Sequence, residues 1–265
     1  MAKSNIHTAA LIIARLGSSR LPAKHLSVVG DKAIIEHVIE RVRQATEIDR
    51  IVLCTTTRPE DVALVDLADR AGIDHFQGSE HNLLQRFYDA ALHFKIDFSV
   101  IIEADEVVCD WELMDAIVRR HRDSAADYVT VRGVPIGSYL HGLNTLALAQ
   151  VCGVLEESWE TDGWGRYFTE PGSFSFKVEE IVVDDPALTR PPARMTLDWP
   201  EDLALIREVY ERLYVPGRVF HLRDVMALLR RQPELLEINR HLVEAYKAHV
   251  AKFAPARVKL PGGTR

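Results

Sequence analysis

The sequence predicts an α/β protein with a doubly wound, mainly parallel sheet. Three observations carry this reading. Unbroken apolar runs recur at Ala9–Ala14, Ile51–Thr56 and Phe98–Ile102. Each is followed by a segment whose apolar residues fall at helical spacing. The chain has 265 residues, 47% of them hydrophobic, enough to bury a large core. Strands buried on both faces and alternating with helices imply right-handed crossovers.

The elements follow in order. Ala9–Ala14 is the leading strand. Ile34, Ile35, Val38, Ile39 and Val42 mark the first helix, and Ile51–Thr56 the second strand. DVALVDLADRAG is a helix that stops at Gly72, and the short segment IDHF follows it. Leu83, Leu84, Phe87, Ala90 and Ala91 mark the next helix. Phe98–Ile102 is the third apolar run, with Glu103, Asp105 and Glu106 at its end. A helix through Leu113, Ile117 and Val118 and the strand DYVTV complete the regular half.

The second half is less regular. Residues 133–142 and 161–173 read as loop-rich, and FKVEEIVV as an extended ribbon. MTLD reads as a short strand ending in Asp198. Pro200-Glu-Asp then opens a helix, with proline and acids in its first turn. Helical patterns at 222–231 and 233–251 close the chain, and KLPGGTR reads as a frayed tail. Residues 1–215 are expected to form one α/β domain, with 216–265 a helical extension packed on it.

Composition narrows the function. A formal net charge of −7 argues against a nucleic-acid coat or a polybasic membrane binder. No apolar run approaches the roughly 20 residues that cross a bilayer, and MAKSNIHTAA has no signal-peptide pattern. Cys54, Cys109 and Cys152 cannot all pair, and no C-x-x-C occurs. The expectation is a reduced, cytoplasmic protein.

The stretch ALIIARLGSSRLPAKHL is the most informative. In parallel sheets ligands bind beyond the carboxyl ends of the strands. The loop after the leading strand and the acids after the third run therefore share one edge. The loop is neither a Walker A nor a G-x-G-x-x-G sequence. Its physics is similar. Gly17 is expected to let the backbone turn and approach a ligand. Ser18 and Ser19 offer hydroxyls and unhindered amides. Arg15, Arg20 and Lys24 supply charge-assisted donors, each worth about 1.5–3 kcal/mol. The set suits a triphosphate. A solvated basic loop is the plain alternative.

The stretch resembles the signature loop of cytidylyltransferases that activate sugars and sugar acids. It is most similar to the spore-coat polysaccharide biosynthesis protein F branch, related to the CMP-Kdo and CMP-sialate synthetases. Further fragments resemble that branch in order: CTTTRPED, GSEHNLLQRFYDAA, ADEVVCDWELMD, RMTLDWPEDLALI and LLRRQPELLEINR. The resemblance implies a Rossmann-like nucleotidyltransferase fold and attack by an acceptor oxygen on the α-phosphorus of CTP. Arg15, Arg20 and Lys24 would hold the triphosphate, and Lys24 would stabilise the leaving pyrophosphate. Ala14, Leu16, Gly17, Ser18, Ser19, Thr55, Thr56, Gly78, Ser79 and Arg86 would line the nucleotide. Asp105 and Asp198 would bind Mg²⁺, which takes hard oxygen ligands. Asp198 has a competing reading as the cap of the helix that follows. Arg86 has one as a helix-surface residue, and Thr55 and Thr56 as ordinary strand-end residues. A homodimer is implied as well.

Two departures from the branch stand out. Ala104-Asp105-Glu106-Val107 replaces the usual Gly-Asp-x-Pro, and the segment near the acceptor reads Arg166-Tyr167-Phe168-Thr169. Tyr139, His141, Trp159, Trp164 and Arg166 are candidates for an acceptor pocket of a different kind, for a small molecule other than Kdo or sialic acid. Two alternatives remain open from the residues. One is a glycosyltransferase using a ready-made nucleotide sugar, since Glu103-Ala104-Asp105 nearly matches D-x-D. The other is a non-catalytic nucleotide-binding protein.

Overall fold

In the computed structural model, strand β1 (Thr8–Ile13) is an interior strand of a seven-stranded sheet, and its first five residues are buried. The structure describes residues 6–155, 161, 163–170 and 174–252. After β1 come a 3₁₀ turn (Lys24–Leu26) and a small hairpin of β2 (Val28–Val29) and β3 (Lys32–Ala33). Helix α1 (Ile34–Val42), strand β4 (Arg50–Thr56), helix α2 (Val62–Ala71) and strand β5 (Asp74–Gly78) follow. Next are α3 (Leu83–Phe94), β6 (Phe98–Glu103), α4 (Trp111–Ser124), β7 (Tyr128–Arg132), β8 (His141–Asn144) and α5 (Thr145–Cys152). The chain continues through α6 (Arg166–Thr169), β9 (Val178–Val182), α7 (Pro186–Thr189), α8 (Pro200–Leu213), α9 (Leu222–Arg231) and α10 (Leu242–Val250).

The sheet order is β5-β4-β1-β6-β8-β7-β9. All neighbours are parallel except β8, which runs antiparallel to β6 and β7. The mainly parallel, doubly wound fold is therefore as read from the sequence. From β1 the chain moves outward to β4 and β5, then crosses to β6 on the other side of β1. The switch point thus lies between β1 and β6, where a crevice opens beyond the carboxyl ends. Ile13 pairs with Glu103, so the cationic loop and the acidic turn leave the sheet side by side.

Apolar stripes of α1, α2 and α4 cover one face, through residues such as Ile35, Val38, Leu64, Leu67 and Ile117. The other face is covered by α3 and α5, through Leu84, Phe87, Leu148 and Val151. A further cluster joins α8 and α9 to Val29, Val107 and Val108, so the C-terminal helices pack behind the acidic turn.

FKVEEIVV is extended as read, and its β9 is the edge strand of the main sheet, parallel to β7. Its alternation of exposed and half-buried residues fits an edge with one covered face. Three readings need correction. MTLD is not a strand; only Arg194 bridges, to Ile136. This extended segment is held by Met195 N–H to Ile136 O at 2.6 Å and Leu197 N–H to Asp105 O at 3.0 Å. It comes so close to Gly137 (φ +87°) that a Cβ there would lie 2.2 Å from the Thr196 nitrogen. The last helix is split: Pro233–Ile238 is a 3₁₀ turn, and α10 begins at Leu242. The loop-rich stretch 133–142 ends in β8. The KLPGGTR tail lies outside the described residues.

Candidate active site

The loop after β1 is shaped from beneath. Asp61 accepts the Leu16 N–H at 2.7 Å and also the Thr56 hydroxyl. Ala14 N–H donates to Cys54 O, while Ser18 and Ala23 N–H both donate to Leu16 O. Ser18 Oγ accepts the Leu21 N–H at 3.4 Å. The amides of Arg15, Gly17, Ser19 and Arg20 have no partner among the described residues. Unpaired amides on an exposed loop form a concavity suited to anions. Gly17 does not supply the left-handed turn. Ala23 does, at φ 51° and ψ 28°, immediately before Lys24. At Gly17 the Arg58 guanidinium crosses close by, and a Cβ would lie 3.3 Å from it.

Lys24 is buried and stands at the switch point. Its Nζ donates to Asp105 Oδ2 at 2.8 Å and Leu197 O at 2.7 Å, with Asp198 Oδ1 at 3.5 Å. Burial alone would lower its pKa, but the Asp105 and Asp198 carboxylates outweigh that and raise it. For Asp105, burial pulls upward and the Lys24 charge and hydrogen bond pull its pKa below the usual value. Arg20 reaches the same cluster, donating to Asp198 Oδ1 at 2.8 Å with its guanidinium over the Trp199 ring. Arg15 is exposed on the loop.

Asp198 is not the helix cap. Asp202, in the first turn of α8, accepts the N–H groups of Asp198 and Trp199 at 2.9 and 3.0 Å. The Asp198 carboxylate instead accepts from Arg20 and, at 2.9 Å, from the fully buried Arg194. Arg194 also donates twice to Asp202. Asn239 ties Arg194 O and Asp202 together from the C-terminal segment. Asp105 and Asp198 therefore arrive from distant parts of the chain and converge on one cationic atom. Two carboxylates meeting where a positive charge sits are a donor set that fits Mg²⁺, which binds one or two carboxylates beside phosphate oxygens. Among the described residues, no three His, Cys, Asp or Glu side chains are grouped to hold a metal.

The other predicted nucleotide residues are placed less openly. Thr55 and Thr56 are fully buried, and the Thr55 hydroxyl has no partner among the described residues. Thr56 acts on the loop from behind, through Asp61. Gly78 ends β5, and Ser79 Oγ accepts the Asn82 N–H at 3.1 Å. Arg86 is not on the helix surface. It is 1% exposed and pins the turn by donating to Ser79 O and Glu80 O. Asp110 caps α4, and Asp115 holds the Thr46 and Glu47 backbone, so these motif acids serve the fold.

Of the acceptor candidates, Trp164 touches Glu103, an acid the sequence offers only as part of an acidic cluster and a near match to D-x-D. Glu103 ends β6, is reached by solvent and accepts the Trp164 indole N–H at 3.4 Å. Close packing and the Asp105 carboxylate push its acid up to about 7, the combination expected at the floor of a cleft. Trp164 meets the His141 ring edge-on, and Tyr128 Oη lies 2.8 Å from His141 Nδ1. Burial lowers the His141 pKa to about 4, so the ring is neutral. Tyr246, on α10, lies over the Arg194 guanidinium at 4.6 Å. Burial raises its phenol, as do the neighbouring carboxylates of Glu103, Asp198 and Asp105. Arg166 reaches α10 through Val250 O at 3.4 Å. Tyr139 is half-buried, its phenol raised by burial and by Glu106. Trp159 lies outside the described residues. A cavity of about 660 Å³ adjoins Tyr139 and Arg194, lined also by Pro135, Val183, Leu236 and Val243. None of the predicted nucleotide residues lines it.

A switch-point crevice with a cationic loop on one lip and paired carboxylates on the other defines a class, the α/β nucleotidyltransferases. The relatives make the class specific. Residues 9–153 match the cytidylyltransferase family, and the chain belongs to it. It is 29% identical over 233 residues to a Methanocaldococcus jannaschii protein without an assigned role, covering 88% of this chain and 94% of that one. It is 26% identical over 231 residues to the spore coat polysaccharide biosynthesis protein SpsF of Bacillus subtilis, covering 84% and 94%. A cytidylyltransferase structure from Leptospira borgpetersenii superposes with a TM-score of 0.77 at 23% identity, covering 88% of this chain and 97% of that one. CMP:2-keto-3-deoxy-manno-octonic acid synthetase complexed with CTP superposes with a TM-score of 0.58 at 17% identity, covering 77% and 98%.

Proposed function

We propose that the protein transfers a cytidylyl group from CTP to a small acceptor of surface-polysaccharide or glycoconjugate biosynthesis, releasing pyrophosphate. The observation that carries this is the convergence of Lys24, Arg20, Asp105 and Asp198 beyond β1 and β6. The free amides from Arg15 to Arg20, with the Arg15, Arg20 and Lys24 side chains, receive the triphosphate. In the absence of nucleotide Lys24 and Arg20 are held by the two aspartates. When CTP enters, those cations turn to phosphate oxygens, and Lys24 faces the charge that grows on departing pyrophosphate.

Asp105 and Asp198 would hold Mg²⁺, which supplies charge neutralisation on the phosphates when bound. Arg194 keeps Asp198 aimed at the crevice, and Asp202 takes over the capping duty that would otherwise occupy it. The chemistry asks the protein mainly for alignment and charge. The acceptor enters over Glu103, Tyr139 and Tyr246. The likeness to SpsF supports a sugar-related acceptor, and the CTP complex of the octulosonate synthetase supports CTP as donor.

Further readings belong to the same proposal. Residues 216–265 act as an extension whose α9 completes the core behind the acidic turn. The exposed edge at β9, with Val178 and Val182 outward, is where a second copy would pair to form a homodimer. Among the described residues no helix is long and apolar enough to cross a membrane. A cytoplasmic location is part of the proposal.

Incubation with CTP, Mg²⁺ and a panel of sugars and sugar phosphates tests the proposal by pyrophosphate release. Release that depends on both CTP and acceptor supports it. Binding of UDP- or GDP-sugars without pyrophosphate release would identify a glycosyltransferase, and tight CTP binding without turnover a non-catalytic binder.

A further inference from the structure

Glu103 differs from the other carboxylates at the site. Asp105 has Lys24 at 2.8 Å, and Asp198 has Arg20 at 2.8 Å and Arg194 at 2.9 Å. Glu103 has no ion-pair partner among the described residues. One carboxylate oxygen meets the Trp164 indole N–H at 3.4 Å, a long contact that leaves most of its lone pairs free. It is reached by solvent, and the Asp105 carboxylate and the Tyr246 phenol are its neighbours at the mouth of the crevice.

We propose that Glu103 selects the acceptor by charge: it receives a hydroxyl or ammonium donor from the acceptor and rejects an acceptor that carries a carboxylate there. The inference rests on the cytidylyltransferase reading and names the substrate class for it. Lys24 and Arg20 are held by Asp105 and Asp198 in the free protein and would be taken by the triphosphate once CTP binds. A carboxylate arriving at Glu103 would also meet the field of the neighbouring Asp105 carboxylate. Like charges at close range in a partly enclosed cleft repel strongly, and such repulsion excludes a wrong ligand. A polyol or amino sugar brings N–H or O–H donors to the same oxygens and leaves no buried acceptor unpaired.

Three sugar 1-phosphates of one ring type test this: glucosamine 1-phosphate, glucose 1-phosphate and glucuronic acid 1-phosphate. In each, a phosphate oxygen would bond to the α-phosphorus of CTP, the bond to the bridging oxygen would break, and pyrophosphate would leave with that electron pair. No proton transfer is required. Binding to the full chain loaded with a non-hydrolysable CTP analogue and Mg²⁺ is measured by calorimetry at about pH 8.5, where Glu103 is ionised. It is measured for the wild type, Glu103→Gln and Glu103→Lys.

The wild type should bind the glucosamine compound at least tenfold more tightly than the glucuronic acid compound. Glu103→Gln should narrow the gap to about threefold or less, and Glu103→Lys should reverse it. Equal binding of the three, an unaltered ranking in both variants, or no binding of any would overturn the inference. Binding of the CTP analogue itself separates the two levels. If the wild type fails to bind the analogue, the reading beneath falls. If it binds and the charge ranking is absent, only the role of Glu103 falls. Should Glu103→Lys lose analogue binding, the narrowing in Glu103→Gln decides.

Discussion

Replacing Lys24 with methionine removes a charge and keeps the stem. In the wild type the ammonium lies 2.8 Å from Asp105 and 3.5 Å from Asp198, with both carboxylates buried or nearly so. At an effective dielectric of about 20, the 2.8 Å contact alone has a Coulomb energy of about 6 kcal/mol. Desolvation of both groups offsets much of it. Removing one partner of such a pair nonetheless costs about 3–5 kcal/mol, because the other charge is left uncompensated. For a chain of this size that lowers the melting temperature by roughly 6–20 °C. Mg²⁺ should restore more stability to Lys24→Met than to the wild type, since the same two carboxylates, Asp105 and Asp198, would hold the ion. Turnover, followed as pyrophosphate release, should fall at least tenfold, about 1.4 kcal/mol of barrier. A variant with unchanged turnover and an unchanged response to Mg²⁺ would remove Lys24 from the mechanism.

Asp198→Asn should raise the Mg²⁺ concentration needed for half-maximal pyrophosphate release while α8 keeps its cap through Asp202; collapse of the fold with a normal Mg²⁺ response would contradict this. Asn239→Ala leaves Arg194 O and Asp202 each short of a buried donor, which should cost about 1–3 kcal/mol in a urea titration. His25 is buried, and burial with the neighbouring Lys24 charge lowers its pKa to about 4 from 6.5. The unfolded chain binds that proton first as the pH falls. This share of stability is therefore complete above pH 6.5 and is lost towards pH 4, by about 2 kcal/mol at pH 5 and about 3 kcal/mol in full. Thermal melts of His25→Gln at pH 7 and pH 5 should show a shallower loss than the wild type; an identical slope would refute the assignment.

Much of this was legible in the sequence because strands and helices of a parallel sheet write their own periods. The runs at 9–14, 51–56 and 98–102 mark the strands that place the crevice, and the family resemblance singles out Lys24, Asp105 and Asp198. What escaped depends on contacts distant in the chain. Asp198 reads locally as a cap, and only the structure shows Asp202, in the first turn of α8, taking the backbone N–H groups of Asp198 and Trp199. Gly17 reads as the turn residue, yet the left-handed position falls on Ala23, where no local signal marks it. Glu103 lay inside a quoted acidic cluster, but strand-end acids are common, and its lack of a cation appears only when Trp164 and Asp105 are placed. Tyr246 had no sequence signal, since its position over Arg194 comes from a helix joined to the sheet by a long path. Arg86 followed a helical pattern whose polar face proved to be turned inward onto the 79–80 turn.

The central claim is that triphosphate and divalent ion meet between the loop after β1 and the carboxylates of Asp105 and Asp198. A crystal grown with CTP and Mn²⁺, measured at the manganese absorption edge, tests it directly. An anomalous peak shared by both carboxylates and the phosphates, with Lys24 and Arg20 turned onto phosphate oxygens, is the predicted result. CTP bound elsewhere, with those four side chains still paired among themselves, would contradict it.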